Sequence, residues 1–346
     1  MNNLRRRRAQ LIILGSSVPV PAAPTLTSPA NAAVLTDTTP DLAWDAVANA
    51  ATYDVEVRET LTGTPTATGL LTNAYTVSPA LDPAIDYSWR VRGVNSAGVA
   101  GEWSSTRTFT FSYATIEAAI AAPLWMHLRE TSGTAVDNSG TVGDPADGTW
   151  TAGVGTPGAV GQTGRLGANE AYLFGGTDSY ITIAAQTALN NLTKYTYGLL
   201  LNPTTPGESN LGQLIATRNG AGKMLRIHNA SFAVHAFHTS NATTATTTTT
   251  NNFLVAGEWQ WIFATFDNDG DRKIHLYRYD FDTDTLVEAS YAQHDAMTGT
   301  IAFPSVDIMI GARDAGQLAY NGSMDEVFIE NTVLSVAYMT AIGKKT

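Results

Sequence analysis

Residues 24–112 consist of short runs in which apolar and polar residues alternate. Residues 53–57 and 87–93 place an apolar or small residue at every second position, which is the side-chain period of a β-strand. Clusters of turn-forming residues separate the runs, at 45–51, 61–66, 80–85 and 95–102. Short strands at this spacing predict an antiparallel β-sandwich of about 90 residues.

This segment resembles a fibronectin type III domain. The motifs that carry the resemblance are Pro-x-Leu-x-Trp at 40–44, Ala-Thr-Tyr-x-Val-x-Val at 51–57, Tyr-Ser-Trp-Arg-Val-Arg at 87–92 and Gly-Glu-Trp-Ser at 101–104. The resemblance implies that Trp44 is the core tryptophan and Tyr87 the corner tyrosine. A sugar-stacking platform made by Trp44 and Trp89 is the alternative, and core packing is favoured.

The rest of the chain returns to strand patterns after one short interruption. Residues 113–122 have a helix-favouring composition, with Ile116 and Ile120 four positions apart, and predict a short helix or stiff connector. Beyond it, residues 259–265 and 274–279 alternate as strands do. About 220 residues of strands predict one large sandwich or jelly roll. The predicted fold class is therefore all-β, with a smaller sandwich followed by a larger one.

Residues 123–346 resemble the laminin-G-like, concanavalin-A-like jelly-roll superfamily. The motifs that carry this resemblance are Glu-Thr-Ser-Gly-Thr at 130–134 with Asp-Asn-Ser-Gly at 137–140, a hairpin at 172–181, the Gly-Glu-Trp strand at 257–264, Ile-Gly-Ala at 310–312 and the closing strand at 320–329. Leu334-Ser335 follows at the usual spacing. One departure is Arg129, which stands where an acid is expected before Glu130.

The N-terminal segment 1–23 predicts an extended arm that anchors the protein to a partner chain. The anchoring residues are Arg5, Arg6, Arg7, Arg8, Leu11, Ile12, Ile13 and Leu14. An unpaired apolar strand can add to the sheet edge of another chain. The alternatives are a disordered tail or a signal peptide, although the apolar run is shorter than the roughly 7–15 residues of a signal core. The predicted domains are thus 1–23, 24–112, a linker at 113–122, and 123–346.

Charge and composition exclude several functions. The 346 residues carry 31 acids against 20 bases, a net charge of −11, and without the four arginines of the arm the balance is −15. Such folded domains are poorly suited to nucleic acid, which is bound by clustered Lys and Arg. The absence of cysteine excludes disulfides, thiolate zinc sites and Cys nucleophiles. No run approaches the ~20 apolar residues of a membrane span.

A structural calcium ion is implied by the jelly-roll resemblance. The candidate ligands are Asp137 and Asn138 in an early loop and Asp325 and Glu326 on a late strand. Ca²⁺ takes 6–8 oxygen ligands, often from distant loops. Arg129 in place of an acid weakens this site, so a purely hydrogen-bonding role for Asp325 is the alternative. The acidic run at 267–271 lacks the EF-hand spacing and predicts a hairpin turn.

Catalysis is not predicted. Glu326 and Glu330 share one face but lie about 13 Å apart at ~3.3 Å per residue, beyond the ~5–9.5 Å of glycosidase carboxylate pairs. His235 and His238 fall on opposite faces of a strand, which disfavours zinc. The Thr-rich tract at 242–250 predicts a long exposed loop or an edge strand, either as surface filler or as a binding rim.

These features predict a non-enzymatic surface protein of a phage or virus particle, serving as a decoration, fibre or adsorption protein. The arm would bind a capsid or tail protein, and the jelly roll would display a carbohydrate-binding surface, with a homo-oligomer expected. The first alternative is a secreted or cell-surface bacterial adhesin that binds glycans. The second is a glycan hydrolase, which the missing carboxylate pair disfavours.

Overall fold

The computed structural model describes residues 18–153, 158–168, 170–190, 192–218, 222–301, 306–314 and 316–346. The chain divides into two compact units with the boundary between Ser112 and Tyr113. Each unit has its own hydrophobic core. The strand patterns read from the sequence are confirmed, and the fold is all-β, with a smaller two-sheet sandwich followed by a larger one.

The described strands of the first unit form two sheets. They are β1 (Leu26–Ser28), β2 (Ala33–Leu35), β3 (Asp41–Trp44), β4 (Thr52–Arg58), β5 (Ala67–Leu70), β6 (Ala74–Thr76), β7 (Tyr87–Val94) and β8 (Arg107–Phe111). One sheet has the order β1-β3-β6 and the other β2-β8-β7-β4-β5, with β2 parallel to β8. Their facing side chains form the core of this unit.

The tryptophans of the first unit are core residues, as expected from strand alternation. Trp44 is 1% exposed and Trp89 is fully buried, which excludes a sugar-stacking platform made by these rings. The Tyr87 hydroxyl accepts a hydrogen bond from the Asp82 backbone N–H at 3.1 Å, as a corner tyrosine would. Arg90 and Arg92 place their guanidinium groups 4.7 and 4.6 Å from the ring centre of Trp103.

The second unit contains the remaining elements. Its described strands are β9 (Leu124–Met126), β10 (Ala135–Val136), β11 (Gly148–Thr151), β12 (Ala159–Gln162), β13 (Ala171–Gly175), β14 (Tyr180–Ile183), β15 (Lys194–Thr205), β16 (Gln213–Thr217), β17 (Lys223–Ile227), β18 (Val234–His238), β19 (Ala245–Thr249), β20 (Gln260–Asp267), β21 (Ile274–Asp280), β22 (Thr285–Glu288), β23 (Tyr291–Asp295), β24 (Ile308–Ile310) and β25 (Asn321–Glu330). Its described helices are α1 (Tyr113–Ile120), α2 (Thr187–Asn190) and α3 (Val336–Lys345).

Two large antiparallel sheets enclose the core of the second unit. The nine-stranded sheet has the order β10-β11-β14-β24-β16-β17-β18-β19-β23. The eight-stranded sheet has the order β12-β13-β25-β15-β20-β21-β22, with β9 also paired to β25. Strands at the centre of the second sheet are buried on both faces, since helices cover the side that faces away from the core.

Helices α1 and α3 cover that outer side of the eight-stranded sheet. The predicted helix at 113–122 is confirmed as α1, and it belongs to the second unit. Beneath the helices, Trp125 stacks on Phe328 with ring centres 4.5 Å apart, and Trp261 stacks on Phe263 at 5.4 Å. Gly198 leaves room for the Phe328 ring, because a Cβ there would lie 2.1 Å from a ring carbon. An aromatic layer therefore joins sheet and helices.

Two sequence-based expectations were wrong. The turn within 172–181 does not close a hairpin, because β13 belongs to the eight-stranded sheet and β14 to the nine-stranded sheet. The Thr-rich tract is neither an exposed loop nor an edge strand, because β19 lies between β18 and β23. Its inward hydroxyls have partners, as the Thr247 hydroxyl donates to the Ile274 carbonyl at 2.8 Å. Threonine is β-branched and favours strands, a property that the repetitive composition obscured.

Candidate functional site

Glu326, a predicted calcium ligand, is fully buried among hydrogen-bond donors. The Trp125 indole N–H donates to its carboxylate at 2.7 Å, the His127 ring lies at 2.8 Å and the Arg129 guanidinium at 3.1 Å. Burial lowers the pKa of His127, but hydrogen bonds to Glu117 and Glu326 outweigh it and raise that pKa to about 9. Two cationic groups thus neutralise Glu326, which leaves little reason for a metal ion to bind there.

The other three predicted ligands are held separately. Asp325 accepts hydrogen bonds from the backbone N–H groups of Arg165 at 2.8 Å and Leu166 at 3.2 Å. Burial and the neighbouring Glu326 raise the pKa of Asp325 to about 7. The Asn138 side-chain oxygen accepts from two backbone N–H groups, those of Trp125 and Gly140.

These residues do not form one ion site in the described structure. Asp137 is exposed, and its backbone N–H donates to Glu130 at 2.8 Å. Among the described residues, no group of three or more His, Asp or Glu side chains is arranged to hold a metal ion. Calcium binding stays a prediction that this geometry does not support. The contacts of Asp325 are the hydrogen bonds that its alternative role required. The anchoring residues Arg5–Arg8 and Leu11–Leu14 lie outside the described residues.

A cavity of about 320 Å³ opens beside Trp259. Its lining residues come from the start of β20, the end of β21, the following turn and the loop after β12: Arg165, Glu258, Trp259, Gln260, Arg278, Asp280, Phe281 and Asp282. Trp259 is partly exposed, whereas Trp261, two residues further along the chain, is fully buried. A partly exposed tryptophan beside several polar groups is a common feature of ligand pockets.

Hydrogen bonds fix the walls of this cavity. The Gln260 amide donates to the Val255 carbonyl at 2.8 Å and accepts from the Val255 N–H at 3.1 Å, which pins the chain before Trp259. The Asp280 carboxylate accepts from the Asp282 N–H at 3.0 Å and shapes the turn on the opposite side. Cavity walls that are held in place need little reorganisation when a ligand binds.

The charged groups of the Trp259 cavity are two guanidinium groups and three carboxylates. Arg278 pairs with Asp280 at 3.3 Å, and the Arg165 guanidinium lies 4.5 Å from the ring centre of Phe281. Glu258 and Asp282 add two further carboxylates. The cavity therefore offers hydrogen-bond donors and acceptors in similar measure around one aromatic ring, which suits a neutral ligand with many hydroxyl groups.

A row of polar side chains crosses the outer face of the nine-stranded sheet. In register from β16 to β23 it consists of Gln213, Arg226, His235, Thr248 and Gln293. Arg226 faces away from the core because its neighbours on β17, Leu225 and Ile227, both belong to the core. The row contains no acid, although acids outnumber bases in the whole chain.

This row is electropositive and only partly hydrogen-bonded. The His235 ring bonds to the Thr248 hydroxyl at 2.9 Å and stacks on His228 with ring centres 5.1 Å apart. Burial and then Arg226 and His228 lower the pKa of His235 to about 4. Burial and the nearby Arg313 lower the pKa of Arg226. Burial is the larger cause of both shifts, and the lowered pKa leaves the His235 ring uncharged at neutral pH, so Arg226 is the charged group of this row.

A second cavity, of about 380 Å³, lies at the end of this row. It is lined by His228, Asn229, Thr248, Thr249, Thr250, Asn251 and Ala292. The Asn229 side chain donates to the Asn251 side-chain oxygen at 2.9 Å and also shapes its own turn by accepting from the Ser231 N–H. The Thr-rich tract thus contributes three of the lining residues.

Sequence reasoning missed both cavities. The alternation around Trp259 correctly indicated a strand start but gave no sign that this ring stays accessible, because its neighbours come from segments about 20 and 95 residues away. Arg226 and His235 are unremarkable singly, and only the strand register makes them neighbours. The one available signal was the Thr-rich tract, for which a binding rim was an alternative interpretation.

Comparison with known proteins supports the fold of the second unit. Residues 174–338 match the family model of the concanavalin A-like lectin/glucanases superfamily. Among curated proteins, none matches this sequence. This match agrees with the two-sheet jelly roll of the second unit and covers most of its strands.

Solved structures similar to the chain include two botulinum neurotoxin domains. The type G receptor binding domain is 13% identical, with 64% of this chain and 51% of that one covered and a TM-score of 0.43. The serotype D ligand binding domain, solved in complex with N-acetylneuraminic acid, is 10% identical, with 66% and 52% covered and a TM-score of 0.44. The chain therefore spans about half the length of these two structures.

A third similar structure is an Fn3-like protein from Clostridium thermocellum. It is 22% identical, with 28% of this chain and 95% of that one covered and a TM-score of 0.22. In the described part of the chain, no helix has the length and apolar character needed to cross a bilayer.

Proposed function

We propose that this protein is a non-enzymatic surface-display protein whose jelly roll binds a glycan in the cavity beside Trp259. The observation that carries the proposal is one partly exposed tryptophan surrounded by both hydrogen-bond donors and acceptors. An aromatic face covers the apolar C–H side of a sugar ring, while carboxylates and guanidinium groups bond to its hydroxyls. The lectin/glucanase type of the fold agrees with this ligand class.

The distribution of carboxyl groups favours binding over hydrolysis. A general acid needs a raised pKa and contact with the substrate. Among the described carboxyls, burial raises the pKa of Asp325 to about 7 and also raises that of Glu330. Both are buried and neither lines the Trp259 cavity, so a sugar bound there would not reach them.

A glycan array with the intact protein tests the proposal. The variant Trp259→Ala should lose at least about tenfold in affinity for the bound glycans, because the stacking surface is removed. Trp103→Ala, which removes another partly exposed tryptophan but in the first unit, is the matched control and should bind normally. Equal binding by wild type and Trp259→Ala would refute this cavity, and release of reducing sugar would refute the non-enzymatic assignment.

We further propose that the protein is displayed on a virion, with residues 1–23 attached to a capsid or tail protein. The support is the basic cluster Arg5–Arg8 followed by the apolar run Leu11–Leu14. Deletion of residues 1–20 should abolish incorporation into particles while leaving glycan binding intact. Normal incorporation would refute the anchoring role, whereas recovery of the chain from culture medium without residues 1–22 would favour the adhesin alternative.

A further inference from the structure

Arg226 on the outer face of the nine-stranded sheet has no partner of opposite charge. It forms no hydrogen bond or ion pair with any described residue, and its Nε is shielded from solvent. Its row neighbour Gln213 is fully buried and leaves its side-chain oxygen unbonded within the described part of the chain. Buried polar atoms are bonded in the great majority of cases, so two neighbouring exceptions require an explanation.

Gln213 is oriented by its own hydrogen bonds. Its side-chain nitrogen donates to the carbonyl groups of Ile215 at 3.2 Å and Leu225 at 3.1 Å, so its oxygen is the atom left over. Because Gln213 is fully buried, its oxygen is out of reach of a ligand on this face. The partly exposed Arg226 guanidinium is the donor that a ligand would meet, and the anionic group of an acidic sugar would satisfy it.

Three other basic groups lie near Arg226, on different parts of the sheet. Arg313, which follows β24, His228, which follows β17, and His235 on β18 are the titratable neighbours that shift its pKa or have their own shifted by it. Arg313 has a partner of its own, since it pairs with Asp314 at 3.1 Å. Arg226 is thus the cation in this group whose countercharge is missing among the described residues.

The second cavity adds groups that suit a sugar rather than a simple ion. His228, Asn229, Thr248 and Asn251 line it with imidazole, amide and hydroxyl groups. These groups donate and accept hydrogen bonds, as sugar hydroxyls require. Two of the lining residues are continuous with the polar row, since Thr248 is a member of it and His228 stacks on His235.

We propose that this outer face is a second binding site, which takes a sugar that carries a carboxylate or sulfate group. Arg226 supplies the countercharge, and the cavity residues His228, Asn229 and Thr248 bind the hydroxyls of the same or the adjoining sugar. The site extends the proposed glycan-binding function to acidic glycans and does not depend on the Trp259 cavity. Nucleic acid fits less well, because the chain as a whole is acidic.

The experiment measures affinity of the full chain for matched pairs of glycans. One pair differs only in a terminal carboxylate-bearing sugar and the other only in a sulfate group, so that the two anions are distinguished. Wild-type protein should bind at least one charged member about tenfold or more tightly than its neutral counterpart, and 0.5 M NaCl should reduce this preference. Equal affinity for the charged and neutral members of both pairs would overturn the proposal.

Variants locate the site and separate it from the first one. Arg226→Gln should abolish the preference for the charged glycan, and Arg226→Lys, which keeps the charge, should retain part of it. Arg218→Gln removes the same charge from an exposed arginine that already pairs with Asp307, and it should leave the preference unchanged. A preference that persists in Arg226→Gln, or is lost equally in Arg218→Gln, would overturn the site.

The two proposals fail in distinguishable ways. Trp259→Ala should lose affinity for neutral glycans and keep the preference for charged ones. Arg226→Gln should keep its affinity for neutral glycans and lose that preference. If Trp259→Ala binds all glycans normally while Arg226→Gln loses the charged ones, the Trp259 cavity is refuted and the second site stands. Displacement of the charged glycan by an equal charge concentration of polyphosphate would show a general polyanion surface and overturn the sugar assignment.

Discussion

Lys223 carries a charged group into the core of the jelly roll. It is 2% exposed, its amino group has no hydrogen-bond partner among the described residues, and it lies 5.0 Å from the ring centre of Tyr195. Burial lowers its pKa to about 7. The aromatic face offers some compensation, but a desolvated ammonium group without hydrogen bonds is costly.

Replacing Lys223 with methionine should therefore stabilise the protein. Because the folded pKa lies below the unfolded one, the lysine destabilises most at and below pH 7, and its cost declines as the pH rises towards about 10. Lys223→Met should gain several kcal/mol at pH 6 and about 3 kcal/mol less at pH 9, because pH 9 lies two units above the folded pKa and each unit is worth about 1.4 kcal/mol. Urea unfolding of both proteins at the two pH values checks this, and a pH-independent difference would contradict it.

The second residue-scale prediction concerns His127. This ring bonds to Glu326 on β25 at 2.8 Å and to Glu117 on α1 at 3.1 Å. Its folded pKa of about 9 exceeds the ordinary 6.5, so its stabilising effect is complete below about pH 6.5 and is lost as the pH rises through 9. His127→Gln should thus be most destabilising at pH 6 and nearly neutral at pH 10.

His235 provides the control for that measurement. Its pKa is lowered rather than raised, so its charge does not change between pH 7 and pH 10. His235→Gln should then show the same stability difference from wild type at both ends of that range. Chemical denaturation at pH 7, 8.5 and 10 compares the variants, and a His127→Gln effect that is constant with pH would show that the two ion pairs contribute nothing.

At the scale of elements, α3 depends on a close approach to β21. Gly343 lies against the Tyr279 ring, where an added Cβ would come within 2.4 Å of a ring carbon. The helix begins with a capping hydrogen bond from the Tyr338 N–H to the Ser335 hydroxyl, so its start is fixed independently of that contact. Its last turn is therefore placed by packing rather than by helix propensity.

Gly343→Ala tests this packing through the sign of its effect. In an exposed helix, Gly to Ala stabilises by about 1 kcal/mol, whereas overpacking in a core costs about 1–3 kcal/mol. We expect net destabilisation, with loss of protection from hydrogen exchange confined at first to α3. A rise in melting temperature would show that the helix adjusts freely over β21.

The sequence predicted elements correctly where the alternation of side chains between the two faces of a strand decides which residues are buried. Alternation at Trp44 and Tyr87 was sufficient to place them in a sandwich core, and the acidic run at 267–271 forms the predicted β20–β21 turn. The prediction failed for the Thr-rich tract. The buried hydroxyl of Thr247 donates a hydrogen bond to the carbonyl of a residue distant in sequence, and no local pattern reveals that partner. The same limit applies to Trp259, whose accessibility depends on loops from other strands.

At the scale of the whole molecule, the two units should fold separately. Each has its own core of buried side chains, one built around Trp44 and Trp89 and the other between the two large sheets. Independent cores are the property that lets domains fold alone. Fragments 18–112 and 113–346 should each unfold cooperatively in calorimetry, and their transitions should reproduce those of the intact chain. A fragment that is unfolded at 25 °C would contradict this.

The first and last helices of the jelly-roll unit lie over one aromatic layer. Tyr113 at the start of α1 contacts Trp125, the Trp125 ring stacks on Phe328, and the Trp261 indole N–H donates to the Thr346 hydroxyl at 2.8 Å. The entry and exit of this unit are therefore close in space. A domain whose ends are close together can be inserted into a surface loop of an unrelated host protein without separating the two ends of that loop. This unit is therefore suited to domain-insertion engineering.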